Sequence, residues 1–165
     1  MTINECCNTA VVTCTADTSV FAVAELMRRH HVGTVIVTEG EESDGVPAGI
    51  ITDRDIVIEM IALQLDVAAF TAGDVMTAPV ITVRESEGLI EALRLMRLRN
   101  IRRLPVVTEA GTLYGIVTVD DLLSLLAMEL SLMTGTIVGQ RETESRRRRS
   151  HSDGNVGGES GATQH

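Results

Sequence analysis

A threonine and an aspartate three residues apart occur twice at the same kind of corner in this chain. Thr52 and Asp55 stand in "GIITDRD" at 49–55, Thr118 and Asp121 stand in "GIVTVDD" at 115–121, and four of the seven positions are identical. A Thr hydroxyl both donates and accepts, and an ionised carboxylate accepts at two oxygens. Two roles fit that chemistry. As a capping box, the Thr accepts from the backbone N–H near the Asp while the Asp reaches back, worth about 1 kcal/mol per helix. As a clamp, the two pairs grip a molecule that enters between two copies of one fold.

Either role needs a strand before the Thr and a helix after the Asp, and the chain supplies both twice. Sliding the first half by 69 residues sets Val11-Val12-Thr13 on Val80-Ile81-Thr82, Met27 on Met96 and Val32 on Ile101. Beyond a Gly- and acid-rich turn the offset falls to 66, because "TEGEESDGVPAG" is three residues longer than "VTEAGTLYG"; turns tolerate such changes. Each copy predicts a short strand (Val11–Cys14; Val80–Val83), a helix (Ser19–His30; Ser86–Arg99), two strands (Thr34–Val37 and Ala48–Thr52; Arg103–Val107 and Leu113–Thr118) and a closing helix (Asp53–Leu65; Val119–Met133). That is β-α-β-β-α twice, an α/β fold class with repeats at 2–68 and 71–134. Neither repeat buries enough surface alone, so the two share one core.

The closing helices are apolar on more than one side. "DLLSLLAMELSLM" and "DIVIEMIALQL" exceed the single stripe that packing on one sheet requires, which predicts a symmetric homodimer contact, the alternative being a larger internal core. After "TGTIVGQ" the composition turns polar, and residues 141–165 are expected to form a disordered, Arg-containing tail.

Composition narrows the function. All fourteen basic residues are Arg and the net charge is −9. Residues 1–140 carry nine Arg against nineteen acids. An acidic body disfavours phosphate-backbone binding, so a nucleic-acid partner is not expected, although Arg146–Arg149 could touch RNA as a weaker alternative. Lacking Lys, the chain has no Schiff-base nucleophile and no phosphate-loop Lys. No Ser-His-Asp or Cys-His constellation stands out, so no enzyme is expected. No apolar run suggests a membrane span and the N-terminus reads as no secretion signal, which makes a cytoplasmic protein the expectation. Cys6, Cys7 and Cys14 align with Val75, Met76 and Val83 and read as reduced core thiols. His30 and His31 align with Arg99 and Asn100 at a helix end, where they complement the dipole. No metal site is expected.

Two tandem copies, each ending in Gly, two apolar residues, Thr-x-x-Asp and an apolar helix, resemble the cystathionine-β-synthase (CBS) domain pair, or Bateman module. "GDVMTAPVITV" at 73–83 and "IRRLPVV" at 101–107 are similar to family phrasing. The resemblance implies one pseudo-two-fold pair and a disc-like dimer. It also implies a regulatory module that binds an adenosine-containing ligand (AMP, ADP, ATP or S-adenosylmethionine) between the repeats, with no required cofactor. Some members bind no nucleotide, so a structural, protein-interaction dimer is the alternative.

On that resemblance, an Asp from one repeat holds the ribose diol above a floor supplied by the other, through charge-assisted hydrogen bonds. Thr118 and Asp121 are implied to face a pocket lined by Thr15, Gly33 and Thr34. Thr52 and Asp55 are implied to face one around Arg84, Arg102 and Arg103. Phosphates need cations, and Arg102 and Arg103 occupy the positions of Gly33 and Thr34 in the first copy. As phosphate ligands they are assigned to the site completed by Asp121, leaving Asp55 with Arg54 or Arg84. The Asp121 site is therefore expected to be the competent one. The opposing reading of Arg102 and Arg103 is a solvated pair ahead of a buried strand.

Overall fold

A computed structural model describes residues 2–40 and 45–134 of the chain. Two compact units divide it, Met1–Leu123 and Ser124–His165. In the second unit residues 124–134 are helical. The tail expected at 141–165 lies outside the described residues.

The first unit is built from two equivalent halves. In the first half, β1 (Thr13–Cys14) runs parallel to β2 (Thr34–Glu39), and β2 pairs antiparallel with β3 (Val46–Thr52). The second half repeats this with β4 (Val83–Arg84), β5 (Arg103–Val107) and β6 (Leu113–Thr118). Register is matched as well: Thr34 lies opposite Thr52, and Arg103 opposite Thr118.

Helices α1 (Val20–His30) and α2 (Asp53–Asp55 continued by Ile56–Ile61) follow in the first half, α3 (Ala72–Val75) opens the second, and α4 (Leu89–Arg99) matches α1. Ser19 starts α1 by accepting from the Ala22 N–H at 3.1 Å, the expected behaviour of an N-cap Ser. The helix α1 buries Val20, Val23 and Met27, and α4 buries Leu89, Ala92 and Met96, the same helical stripe in both. Both helices end on a left-handed residue, His31 and Asn100, each with φ 53°. Packed below them are Val35, Val37, Ile51 and Met60 in one half, with Leu104, Val106 and Val117 buried in the other.

Two features go beyond the sequence expectation. The helix predicted over Asp53–Leu65 is an α turn, Asp53–Asp55, that widens into a π-helix, Ile56–Ile61; together these form α2. Its β-branched run, Ile56-Val57-Ile58, crowds an ordinary α turn, and the wider turn accommodates it. The helix closes early, with Gln64 at φ 57° and the Leu65 N–H donating to Met60 at 3.0 Å.

The second feature is an exchange. The segment leading into each half lies against the other half. Asn8 and Ile116 exchange backbone hydrogen bonds, both at 2.9 Å, and Thr77 and Ile50 do the same at 2.9 and 3.1 Å. Isolated bridges Thr2–Gly88 and Ser19–Thr71 extend the same swap. The glycines of the repeated corner permit it: a Cβ on Gly115 would stand 2.9 Å from the Asn8 carbonyl, and one on Gly49 would strike the Met76 side chain. Reciprocal hydrogen bonding thus ties the halves into one α/β body.

Candidate functional site

The two Thr-x-x-Asp corners adopt the same geometry. The Thr52 N–H and hydroxyl each donate to Asp55 Oδ2 at 2.8 Å, and Thr52 Oγ1 accepts from the Asp55 N–H at 3.2 Å. Around Asp121 the matching distances are 3.1, 2.7 and 3.1 Å. Both pairs are therefore capping boxes. The same device recurs at Thr71 with Asp74 and at Thr2 with Glu5. At Thr71 the hydrogen bonds from its N–H and hydroxyl hold the Asp74 carboxyl below its ordinary pKa.

Capping leaves half of each carboxylate available. Asp55 Oδ1 accepts no hydrogen bond among the described residues, and Asp55 lines a cleft of about 340 Å³. Its walls come from both halves: Thr52 and Arg54 from the first, Asn100, Arg102 and Arg103 from the second. Its apolar surface is Ile50, Pro79, Val80, Ile81 and Ile101. Arg102 is partly engaged, donating to both oxygens of Asp120 at 3.1 and 3.3 Å, an exposed pair of small worth.

A second cleft, of about 180 Å³, sits at the pseudo-equivalent place. Asn8, Ala10, Val11, Val12, Val32, Gly33, Thr34 and Thr118 line it where Thr77, Pro79, Val80, Ile81, Ile101, Arg102, Arg103 and Thr52 line the first. Arg103 lines this cleft too.

Of the nine residues expected to form sites, the structure brings Thr52, Asp55, Arg102 and Arg103 together in the larger cleft, and Gly33, Thr34 and Thr118 in the smaller. Thr15 lines neither: its hydroxyl is turned to Asp17 and Thr18. Asp121 lines neither as well; its charge, with burial and Glu5, raises the Cys6 thiol pKa, burial being the largest cause. Arg84 is paired with Glu109 at 3.7 Å and also stays out of both.

The sequence reading assigns Arg102 and Arg103 to the Asp121 site; in the structure both residues line the Asp55 cleft, and Arg103 lines the smaller cleft as well. Their place in the Asp55 cleft follows from the start of β5 lying toward the corner of the opposite half. Asn100 and the Thr77–Ile81 stretch were missed among the lining residues. Alignment of Thr77–Ile81 with Asn8–Val12, already linked to the first-copy strand, was the available signal.

The arrangement defines a class: a duplicated α/β pair whose clefts lie between the repeats, each offering an apolar floor and a capped carboxylate or hydroxyl corner. Comparison with known proteins agrees. A family model for the CBS domain matches residues 3–62 and 72–128, and the chain belongs to that family. The uncharacterised protein MK0525 of Methanopyrus kandleri is 36% identical over 125 residues, covering 76% of this chain. This chain spans 62% of that relative's length. Among solved structures, the CBS domain protein PAE2072 of Pyrobaculum aerophilum complexed with AMP matches with a TM-score of 0.70 and 26% identity, covering 81% of this chain and 99% of that one. The CBS domain pair of protein MJ0100, in complex with 5-methylthioadenosine and S-adenosyl-L-methionine, matches with a TM-score of 0.68 and 25% identity over 78% of this chain and 98% of that one.

Proposed function

We propose that this chain is a regulatory, non-enzymatic module that senses an adenosine-containing ligand (AMP, ADP, ATP or S-adenosylmethionine) in the Asp55 cleft. One observation carries the reading: an aspartate with a spare carboxylate oxygen shares a cleft with three arginines and an apolar wall. Its volume of about 340 Å³ falls in the range of small-molecule sites. Ribose hydroxyls would donate to Asp55 Oδ1, the base would lie on Val80, Ile81 and Ile101, and phosphate would meet Arg54, Arg102 and Arg103. The ligands of PAE2072 and MJ0100 are of this chemical class. No cofactor is required by this scheme.

Sensing requires two states that bind ligand unequally. Here the ligand would bridge the halves, drawing Arg102 from Asp120 and altering the angle between the repeats. We further assign a homodimer to the exposed apolar side of α2, where Val57 and Ile61 are each 57% exposed, with a second copy as the covering surface. Three free cysteines fit a reducing, cytoplasmic setting.

Calorimetric titration of the protein with AMP, ATP and S-adenosylmethionine tests the reading. Binding that is lost in Asp55→Ala and kept in Asp121→Ala supports it. No heat and no thermal shift with any of the three would leave the structural dimer, with Thr-x-x-Asp serving only as caps.

A further inference from the structure

Arg103 lines both clefts at once. It is the first residue of β5, lies opposite Thr118 in the β6 ladder, and is half-buried. Its guanidinium forms no ion pair or hydrogen bond among the described residues, unlike that of Arg102, which Asp120 holds. Among the described residues it is the one charged residue lining the smaller cleft. At its pseudo-equivalent position that cleft has Thr34, whose hydroxyl oxygen is buried without a partner.

We infer that Arg103 is a counter-cation shared between two adjoining clefts, so that each chain admits one phosphorylated ligand at a time. This rests on the nucleotide reading and deepens it. A phosphate in the Asp55 cleft draws the guanidinium to its own side, because Arg103 gains there a charge-assisted bond that it lacks in the unliganded chain. The smaller cleft then has no cation left, and a second phosphate would be desolvated without a partner. An uncharged nucleoside bears no such penalty. Charge, rather than shape alone, thereby couples the two clefts, and the coupling is reciprocal: an anion held in the smaller cleft would weaken phosphate binding in the larger.

The test is the stoichiometry of AMP per chain, with adenosine titrated alongside as the uncharged probe. Wild-type protein is expected to bind one AMP per chain. Arg103→Ala should weaken AMP by roughly tenfold or more while leaving adenosine within about twofold. Thr34→Arg gives the smaller cleft its own cation and should raise the stoichiometry to two. Gly33→Arg serves as the second gain variant, since the three atoms nearest a Cβ there all belong to the Asp53 carboxylate, with Oδ2 at 3.0 Å. Two AMP of similar affinity in the wild type would overturn the sharing and leave the nucleotide reading intact, as would an Arg103→Ala protein that binds AMP normally. So would gain variants, folded by circular dichroism, that still take one AMP. Failure of the wild type to bind AMP at all would overturn both.

Discussion

Oδ2 of Asp55 takes both the N–H and the hydroxyl of Thr52, each at 2.8 Å. One carboxylate oxygen therefore closes the helix start while its twin stays uncommitted in a cleft wall. Capping and ligand binding are not rival explanations of the repeated Thr-x-x-Asp, because they use different atoms of one side chain.

That division makes the two roles separable. Asp55→Asn keeps a cap acceptor and removes the charge, so thermal stability should fall only slightly while AMP affinity drops on the order of tenfold to a hundredfold. Asp121→Asn should leave AMP affinity within about twofold. Paired calorimetry and melting curves check both, and equal losses of affinity in the two variants would sink the preference for the Asp55 cleft.

The exchanged segments predict a backbone-limited site at Gly115. An added Cβ would lie 2.9 Å from the Asn8 carbonyl oxygen and 3.0 Å from Cys7 Sγ. Gly115→Ala should therefore cost about 1–3 kcal/mol in urea unfolding. At Gly49 the obstacle is the Met76 side chain, so the loss from Gly49→Ala should be partly rescued by Met76→Ala. A Gly115→Ala protein as stable as wild type would argue against the exchange.

Alkaline sensitivity should trace to Cys14. This thiol is 5% exposed, and burial raises its pKa from 9.0 to about 11. The folded state favours the neutral thiol, so its contribution is complete below pH 9 and is lost as pH rises through about 11, on the order of 2 kcal/mol. Burial moves Cys6 and Cys7 in the same direction. Cys14→Val, which copies Val83 of the other half, should flatten the fall in melting temperature between pH 8 and pH 11. An unchanged slope would contradict the assignment.

Dimer formation should depend on α2. Val57→Glu combined with Ile61→Glu replaces side chains that are each 57% exposed, so the fold should tolerate the change. Light scattering is expected to give a dimer for wild type and a monomer for the variant, with unchanged circular dichroism. A variant that remains dimeric would place the contact elsewhere.

Much of this was legible in the sequence because it is local. The Thr-x-x-Asp spacing by itself brings a carboxylate back to an N–H three residues earlier, and both boxes form as expected. Alternation and stripe placed α1, α4 and the four longer strands within a few residues. The π-helix at Ile56–Ile61 was not legible, since apolar periodicity cannot distinguish it from a slightly shorter turn. Nor was the placement of Arg102 and Arg103: aligning the copies showed where the charge differed, but not which opposing corner those residues would lie beside.

The sequence by itself determined that the chain is a duplicated α/β scaffold with paired hydroxyl–carboxylate corners, because those follow from bonds spanning three or four residues. Tertiary structure alone decided that Asn8 binds Ile116, that Thr77 binds Ile50, and that Arg102 and Arg103 line the same cleft as Asp55. Those choices depend on how two similar halves pack around a pseudo-two-fold axis, where hydrogen bonds between residues 27 positions apart (Ile50 and Thr77) and 108 apart (Asn8 and Ile116) leave no spacing to read.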